Sequence, residues 1–177
     1  MLEDKKVAIL VEELYDEFEY WYPRLRLEEE GVKVITVAPE KKEYRGKKGF
    51  PARSDVSVKE VSPKDFDGVI IPGGYCPDRL RRFPEILDFV KRIYEDGKLV
   101  ATICHGGWVL ISAGITRGKK LTGYFAIKDD LINSGAEFID AQVVKDGNLI
   151  TSRHPADLPY YMKAIIAFLK GVNVEKG

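Results

Sequence analysis

Short apolar runs alternate along this chain with stretches of helical periodicity, and turn-forming residues separate them. "KVAILV" (6–11) is apolar and rich in β-branched residues, which predicts a strand buried on both faces. "DEFEYWYPRLRLEEEG" follows, with acidic residues at its start and Gly31 as its stop, the pattern of a helix. Pro23 lies inside it and is expected to kink it or mark its first turns. "VKVITVA" (32–38), "FDGVIIPGG" (66–74) and "KLVATI" (98–103) read as further strands. "FPEILDFVKRIYEDG" places Ile86, Leu87, Phe89, Val90 and Ile93 on one helical face, and "GGWVLISAG" reads as a helix closed by Gly114.

Alternating strands and helices of this kind predict an α/β fold, a mostly parallel sheet with helices on both faces. "EYRGKKGFPARSDVSVKEVSP" breaks the rhythm, and its Gly-rich turns with the alternating "DVSVKEV" fit a small antiparallel excursion. "AQVVKDGNLITSR" reads as a hairpin around Asp146-Gly147, and "ADLPYYMKAIIAFLKG" as an amphipathic helix over one face. With no repeat, linker or low-complexity segment, residues 1–177 are expected to form a single domain.

Composition narrows the function classes. Lys+Arg and Asp+Glu are balanced at 28 each, so no net field recruits nucleic acid or an anionic membrane. Neither a signal-peptide core nor an apolar run of transmembrane length occurs, which leaves a cytoplasmic address as the expectation. Two cysteines, Cys76 and Cys104, cannot build a disulfide framework, and no Cys/His cluster calls for a metal; no cofactor is expected. The scarcity of amides, with Gln142 the single glutamine, resembles proteins adapted to heat.

The candidate chemistry sits where "LVATI" runs into "CHGG". A sharp strand-to-helix turn at the carboxyl edge of a parallel sheet projects one side chain above the sheet, as in a nucleophile elbow. Gly106 and Gly107 leave room for it, because they bring no Cβ near the projecting residue. A helix N-terminus favours thiolate, so Cys104 is expected to titrate below the usual thiol value of about 8.5. Cys76, in "GGYCPD", lacks this setting and reads as structural. Two histidines can serve as the proton acceptor for Cys104, His105 beside it and His154 in "SRHPADL"; the residues alone do not choose between them. Backbone N–H groups in the turn at Gly73 and Gly74 make a candidate oxyanion site.

"ATICHG", "VIIPGG" and "SRHPADL", with "YPRLRLEEEG", "LISAG" and "IKDDLINSGAEFIDAQVVKDGN", resemble the PfpI intracellular protease family. That family belongs to the superfamily of the parkinsonism-linked deglycase and the class I glutamine amidotransferases. The resemblance covers nearly the whole chain and implies a flavodoxin-like three-layer sandwich with Cys104 as nucleophile. It implies His105 as proton shuttle, Glu19 as a buried protonated acid against the thiol, and Asp78, from a neighbouring subunit, as the acid of a peptidase triad. Oxyanion and substrate-binding groups would be Gly73, Gly74, His105 and Gly106, with Trp108 and His154 in the pocket wall. A homo-oligomer is implied, dimer-based and hexameric in the larger form, and the loop carrying Tyr75, Arg79, Arg81 and Arg82 is the expected subunit contact. The expected activity is cysteine-dependent hydrolysis of small peptides or exposed segments. The alternatives are glyoxalase or deglycase action on methylglyoxal or its adducts through Cys104 and Glu19, and a non-enzymatic redox role for Cys104.

Overall fold

The computed structural model describes residues 1–172. Its first strand, β1 (Lys6–Leu10), is buried from Val7 onward because the sheet it joins is covered on both faces. A loop leads from it into α1 (Glu17–Glu29) and then β2 (Lys33–Ala38). A hairpin of β3 (Glu43–Arg45) and β4 (Pro51–Arg53) stands outside the main sheet, and β5 (Val56–Ser57) returns to pair with β2. After β6 (Gly68–Ile71) come the short α2 (Cys76–Leu80) and α3 (Pro84–Glu95). Strand β7 (Leu99–Ile103) enters a single 3-10 turn and then α4 (Gly107–Ser112). The remaining elements are β8 (Lys120–Leu121), α5 (Lys128–Asn133), β9 (Glu137–Phe138), β10 (Val143–Asp146), β11 (Leu149–Ser152) and α6 (Leu158–Leu169).

The main sheet runs in the order β10-β11-β7-β6-β1-β2-β5, parallel throughout except for the β10–β11 hairpin. Helices α1 and α6 pack together over one face, while α3 lies on β6 and β7 from the other. This is a flavodoxin-like three-layer sandwich, and the antiparallel excursion is the β3–β4 hairpin. Helix α3 buries Ile86, Phe89, Val90 and Ile93, the i, i+3, i+4, i+7 stripe that its sequence pattern predicts.

One topological fact positions the site. The chain builds outward from β1 in both directions, so the strand order reverses between β1 and β6. Register pairs Ile9 with Ile70 and Ile71 with Thr102, so β1, β6 and β7 end at nearly one level. Their three following loops therefore crowd together at the switch point, the usual ligand crevice of such sheets.

Two local expectations differ. "DVSVKEV" extends only over Val56–Ser57 before a 3-10 turn at Val58–Glu60, because Ser57 and Glu60 form a capping box there. Pro23 does not mark the first turn of α1; it is the seventh residue of the helix and is buried. Its missing N–H leaves the Glu19 carbonyl without the usual i+4 donor. Helix α1 begins at Asp16, whose Oδ1 accepts from the N–H groups of Phe18 (3.1 Å) and Glu19 (3.2 Å). Removing this cap by Asp16→Ala is expected to lower the unfolding free energy by about 1–2 kcal/mol. Urea denaturation checks this.

Candidate active site

Strand β7 is fully buried, and the residue after it turns against the normal backbone preference: Cys104 has φ +61°. A non-glycine residue in that region costs about 1–3 kcal/mol and persists only where its surroundings hold it. The surroundings are specific. A Cβ on Gly106 would stand 2.9 Å from the Ile71 carbonyl oxygen and 3.0 Å from Thr102 Cβ, so only glycine lets the turn press onto the sheet. A Cβ on Gly73 would stand 2.7 Å from both Cys104 Cβ and Glu19 Oε1. Gly73 is therefore the spacer that lets acid and thiol approach.

Cys104, His105, Glu19 and the Gly73–Gly74 turn lie together at this point, and Asp78 does not join them. Cys104 Sγ lies 3.2 Å from His105 Nδ1, and the N–H groups of Gly74 and His105 face the sulfur and favour its anion. The Gly73 N–H instead faces Glu19. Glu19 is fully buried. Neither of its carboxyl oxygens makes a well-formed hydrogen bond among the described residues, although the Cys104 thiol and the Gly73 N–H lie close enough to favour its anion. Burial dominates, helped by the Asp16 charge, and pushes the Glu19 carboxyl up to about 8.

Thiol acidity departs from the sequence expectation. Burial first, and the Glu19 charge second, push Cys104 up to about 12, so it is not an acidic thiol like those at exposed helix ends. The 3-10 turn and α4 span only Cys104–Gly106 and Gly107–Ser112, and their dipole is outweighed by desolvation. Acid and thiol titrate as a pair: the first proton leaves near 8 and the second is held far higher. Between those limits one proton remains between sulfur and carboxyl, and the pocket carries a single negative charge.

His105 is wedged between Trp108 (edge-on, 5.0 Å) and Tyr124 (stacked, 5.1 Å), and the Tyr124 N–H donates to the Cys104 carbonyl at 3.0 Å. Burial, with the Lys47 charge, lowers the imidazole pKa, so His105 is neutral at pH 7. Trp108 packs beside His105; its Nε1–H donates to Asp130 at 2.9 Å, and Arg81 stacks over its ring. Among the described residues no carboxylate hydrogen-bonds His105. Asp78 is half-exposed and pairs with Arg82 of the adjoining turn. Within one chain it is not brought to His105. His154 makes no hydrogen bond to Cys104; it lies 3.9 Å from Asp157 and lines a cavity of about 220 Å³ with Tyr124, Phe125 and Phe138. Cys76 is buried, and its thiol donates to the carbonyls of Pro72 (3.5 Å) and Gly73 (3.3 Å), bracing the turn that carries Gly73 and Gly74. Among the described residues no group of three His, Cys, Asp or Glu side chains is placed to hold a metal. No described helix is long and apolar enough to cross a membrane.

Four neighbours escaped the sequence analysis: Asp16, Lys47, Tyr124 and Asp130. The spacing Asp16-x-x-Glu19 is a capping pattern and could have located the start of α1, but such a box would also have sent Glu19 back to the helix cap. Its carboxyl turns into the pocket instead. Lys47, from the β3–β4 turn, places Nζ 3.1 Å from Asp16 Oδ2. No local pattern marks it.

A flavodoxin-like sheet with a strained cysteine at its switch point and a buried carboxyl beside the sulfur defines a class of elbow-cysteine α/β proteins. The DJ-1/PfpI family pattern matches residues 5–168, and the chain belongs to that family. It is 42% identical over 165 residues to deglycase PfpI of Pyrococcus furiosus, covering 93% of this chain and 99% of that one. It is 39% identical over 168 residues to protein/nucleic acid deglycase 2 of Escherichia coli, covering 93% and 98%. The fold superposes on the crystal structure of Drosophila melanogaster DJ-1beta with a TM-score of 0.89 at 29% identity, covering 94% of this chain and 91% of that one. A two-domain protein from Anabaena variabilis, with DJ-1/ThiJ/PfpI-like and ferritin-like domains, matches with a TM-score of 0.93 at 41% identity; the match covers 97% of this chain and about half (51%) of that one.

Glu19 gives the stability a pH dependence of definite sign. Its carboxyl titrates near 4.5 unfolded and near 8 folded, so its contribution is fully present below pH 4.5 and is lost as pH rises to 8. Relative to Glu19→Gln, the native protein is expected to lose on the order of 3–5 kcal/mol across that window. Denaturant titrations of both proteins at intervals from pH 4 to 9 measure the difference; a flat difference would place Glu19 in solvent.

Proposed function

We propose that the protein is a cysteine-dependent enzyme acting on reactive carbonyl groups, a 2-oxoaldehyde such as methylglyoxal or its adducts on amines. Cys104 is the nucleophile and Glu19 the acid/base. The observation that carries this reading is the buried Glu19 carboxyl held against the Cys104 sulfur through the Gly73 gap. In the singly charged state the thiolate adds to the aldehyde carbon. An S–C bond forms, the C=O π pair moves to oxygen, and the oxygen takes the proton from Glu19. The Gly74 and His105 N–H groups stabilise negative charge at this edge. The Glu19 carboxylate can then move the hydrogen of that carbon, as a proton, to the neighbouring carbonyl carbon, while the new hydroxyl passes its proton to the neighbouring oxygen, leaving a 2-hydroxy thioester. Water cleaves the thioester to a 2-hydroxy acid and regenerates the thiol. The sum is aldehyde plus water, with no external oxidant. The deglycase names of the Pyrococcus and Escherichia relatives support this substrate class.

A second reading, the peptidase expected from sequence, is favoured by the 3.2 Å contact between Sγ and His105 Nδ1. It needs an acid for the imidazole. Asp78 can supply one only from a second copy, in a dimer-based assembly with the exposed Tyr75 and Asp78 at the contact.

One preparation tested on methylglyoxal and on fluorogenic peptides separates the two. The expected result is 2-hydroxy acid formation reduced roughly a hundredfold or more by both Cys104→Ser and Glu19→Gln. Peptide cleavage should not depend on Cys104. Peptide cleavage that is lost in Cys104→Ser and in Asp78→Ala, and regained in mixed oligomers of the two, would establish the peptidase instead. Absence of both activities would leave the redox role of Cys104.

A further inference from the structure

Lys47 reaches the site from a segment far from it in sequence. The β3–β4 turn that carries it is pinned to the loop after β1. The Lys47 N–H donates to the Tyr15 carbonyl at 2.9 Å, the Leu14 N–H to the Arg45 carbonyl at 2.7 Å, and the Lys48 N–H to Glu17 Oε1 at 2.7 Å. A Cβ on Gly46 would come within 2.2 Å of Glu17 Oε1, so glycine permits this close seating. The result is a fixed ammonium. It binds Asp16 Oδ2 at 3.1 Å, while Oδ1 of the same carboxylate caps the turn of α1 that carries Glu19. The Lys47 side chain is one-third exposed, so the charge sits at the pocket mouth with water on one side.

The groups facing the Glu19–Cys104 pair from every other direction cannot neutralise a thiolate. Asp16 stands at the start of α1, Cys76 in α2, Asp130 in α5 behind His105, and Tyr161 in α6 behind Glu19. All of these are acids. Among the described residues the one base there, His105, is kept neutral by burial and the Lys47 charge. Lys47 is within electrostatic reach of Glu19, Cys104 and His105 alike.

We propose that Lys47 is the countercharge of the Cys104 thiolate, delivered to the elbow by the β3–β4 hairpin. It is a positioning residue that makes no bond to substrate. The proposal rests on Cys104 being the nucleophile, as argued above, and assigns to the antiparallel excursion a task in the chemistry.

The test measures the rate of Cys104 alkylation by iodoacetamide from pH 6 to 10, with buried Cys76 as the internal reference. In Lys47→Met the rate at pH 7 should fall roughly three- to tenfold, and the midpoint near pH 8, where the pair loses its first proton, should rise by roughly half to one pH unit, the effect of one cation near a partly buried anion. Lys47→Gln keeps a donor for Asp16 and should show the same shift, which separates lost charge from lost structure. Lys47→Arg should stay within about twofold of wild type. Lys48→Met, one residue along the same turn, should leave the profile unchanged. Since Lys47 is partly exposed, the gap between wild type and Lys47→Gln should narrow in 1 M salt. An unchanged midpoint in folded Lys47→Gln, or an equal shift in Lys48→Met, would overturn the proposal. The readout uses no carbonyl substrate. A shift without methylglyoxal turnover would sink the proposed activity and keep the countercharge, and turnover without a shift would do the reverse.

Discussion

Glu19 and Cys104 meet in a buried pocket, with only Gly73 between them, and two anions cannot stand that close. Several features of the fold serve this one contact. The Cys104 backbone accepts a φ of +61° to aim the sulfur, and Gly106 lets the elbow press on the sheet beneath it. Asp16 caps the helix that presents Glu19, and the Cys76 thiol braces the turn that presents Gly74. Strain at Cys104 is thus offset by contacts that fix the elements on either side of it.

The contact also separates the two candidate chemistries. Addition to an aldehyde needs a proton delivered to the nascent alkoxide and a base for the adjacent C–H, and a buried carboxyl of raised pKa can do both. Peptide cleavage needs a base that accepts the thiol proton and hands it to a departing amine. His105 is close enough for that, but its neutral ring is packed between two aromatic side chains and has no carboxylate partner in its own chain. In one chain, then, the acid is complete and the relay is not.

The hairpin outside the main sheet illustrates how such a fold is tuned. None of the parallel pairings of β1, β2, β6, β7 and β11 runs through it, although Tyr44 and Ala52 join the core. What it contributes is a charge at the switch point, fixed by backbone hydrogen bonds to the loop after β1.

The sequence by itself determined the layers, the parallel strands and the location of the elbow. Apolar runs and helical stripes report burial of whole faces, a signal repeated over many residues, and "LVATI" ending at "CHGG" marks the joint directly. Local chemistry misled where burial was the larger force. The start of a helix at Cys104 argued for an acidic thiol, but the depth of the pocket and the Glu19 charge decide otherwise. Glu19 itself stood out from its acidic neighbours only through family resemblance, because a lone buried carboxyl leaves no periodic trace. Tertiary structure alone brought Lys47 to Asp16 across 31 positions of sequence, set Tyr124 against His105, and turned Asp78 toward Arg82. These are single contacts between distant segments. Hydrophobic patterning specifies which faces are buried, and the pairing of individual charges emerges only when those faces have packed.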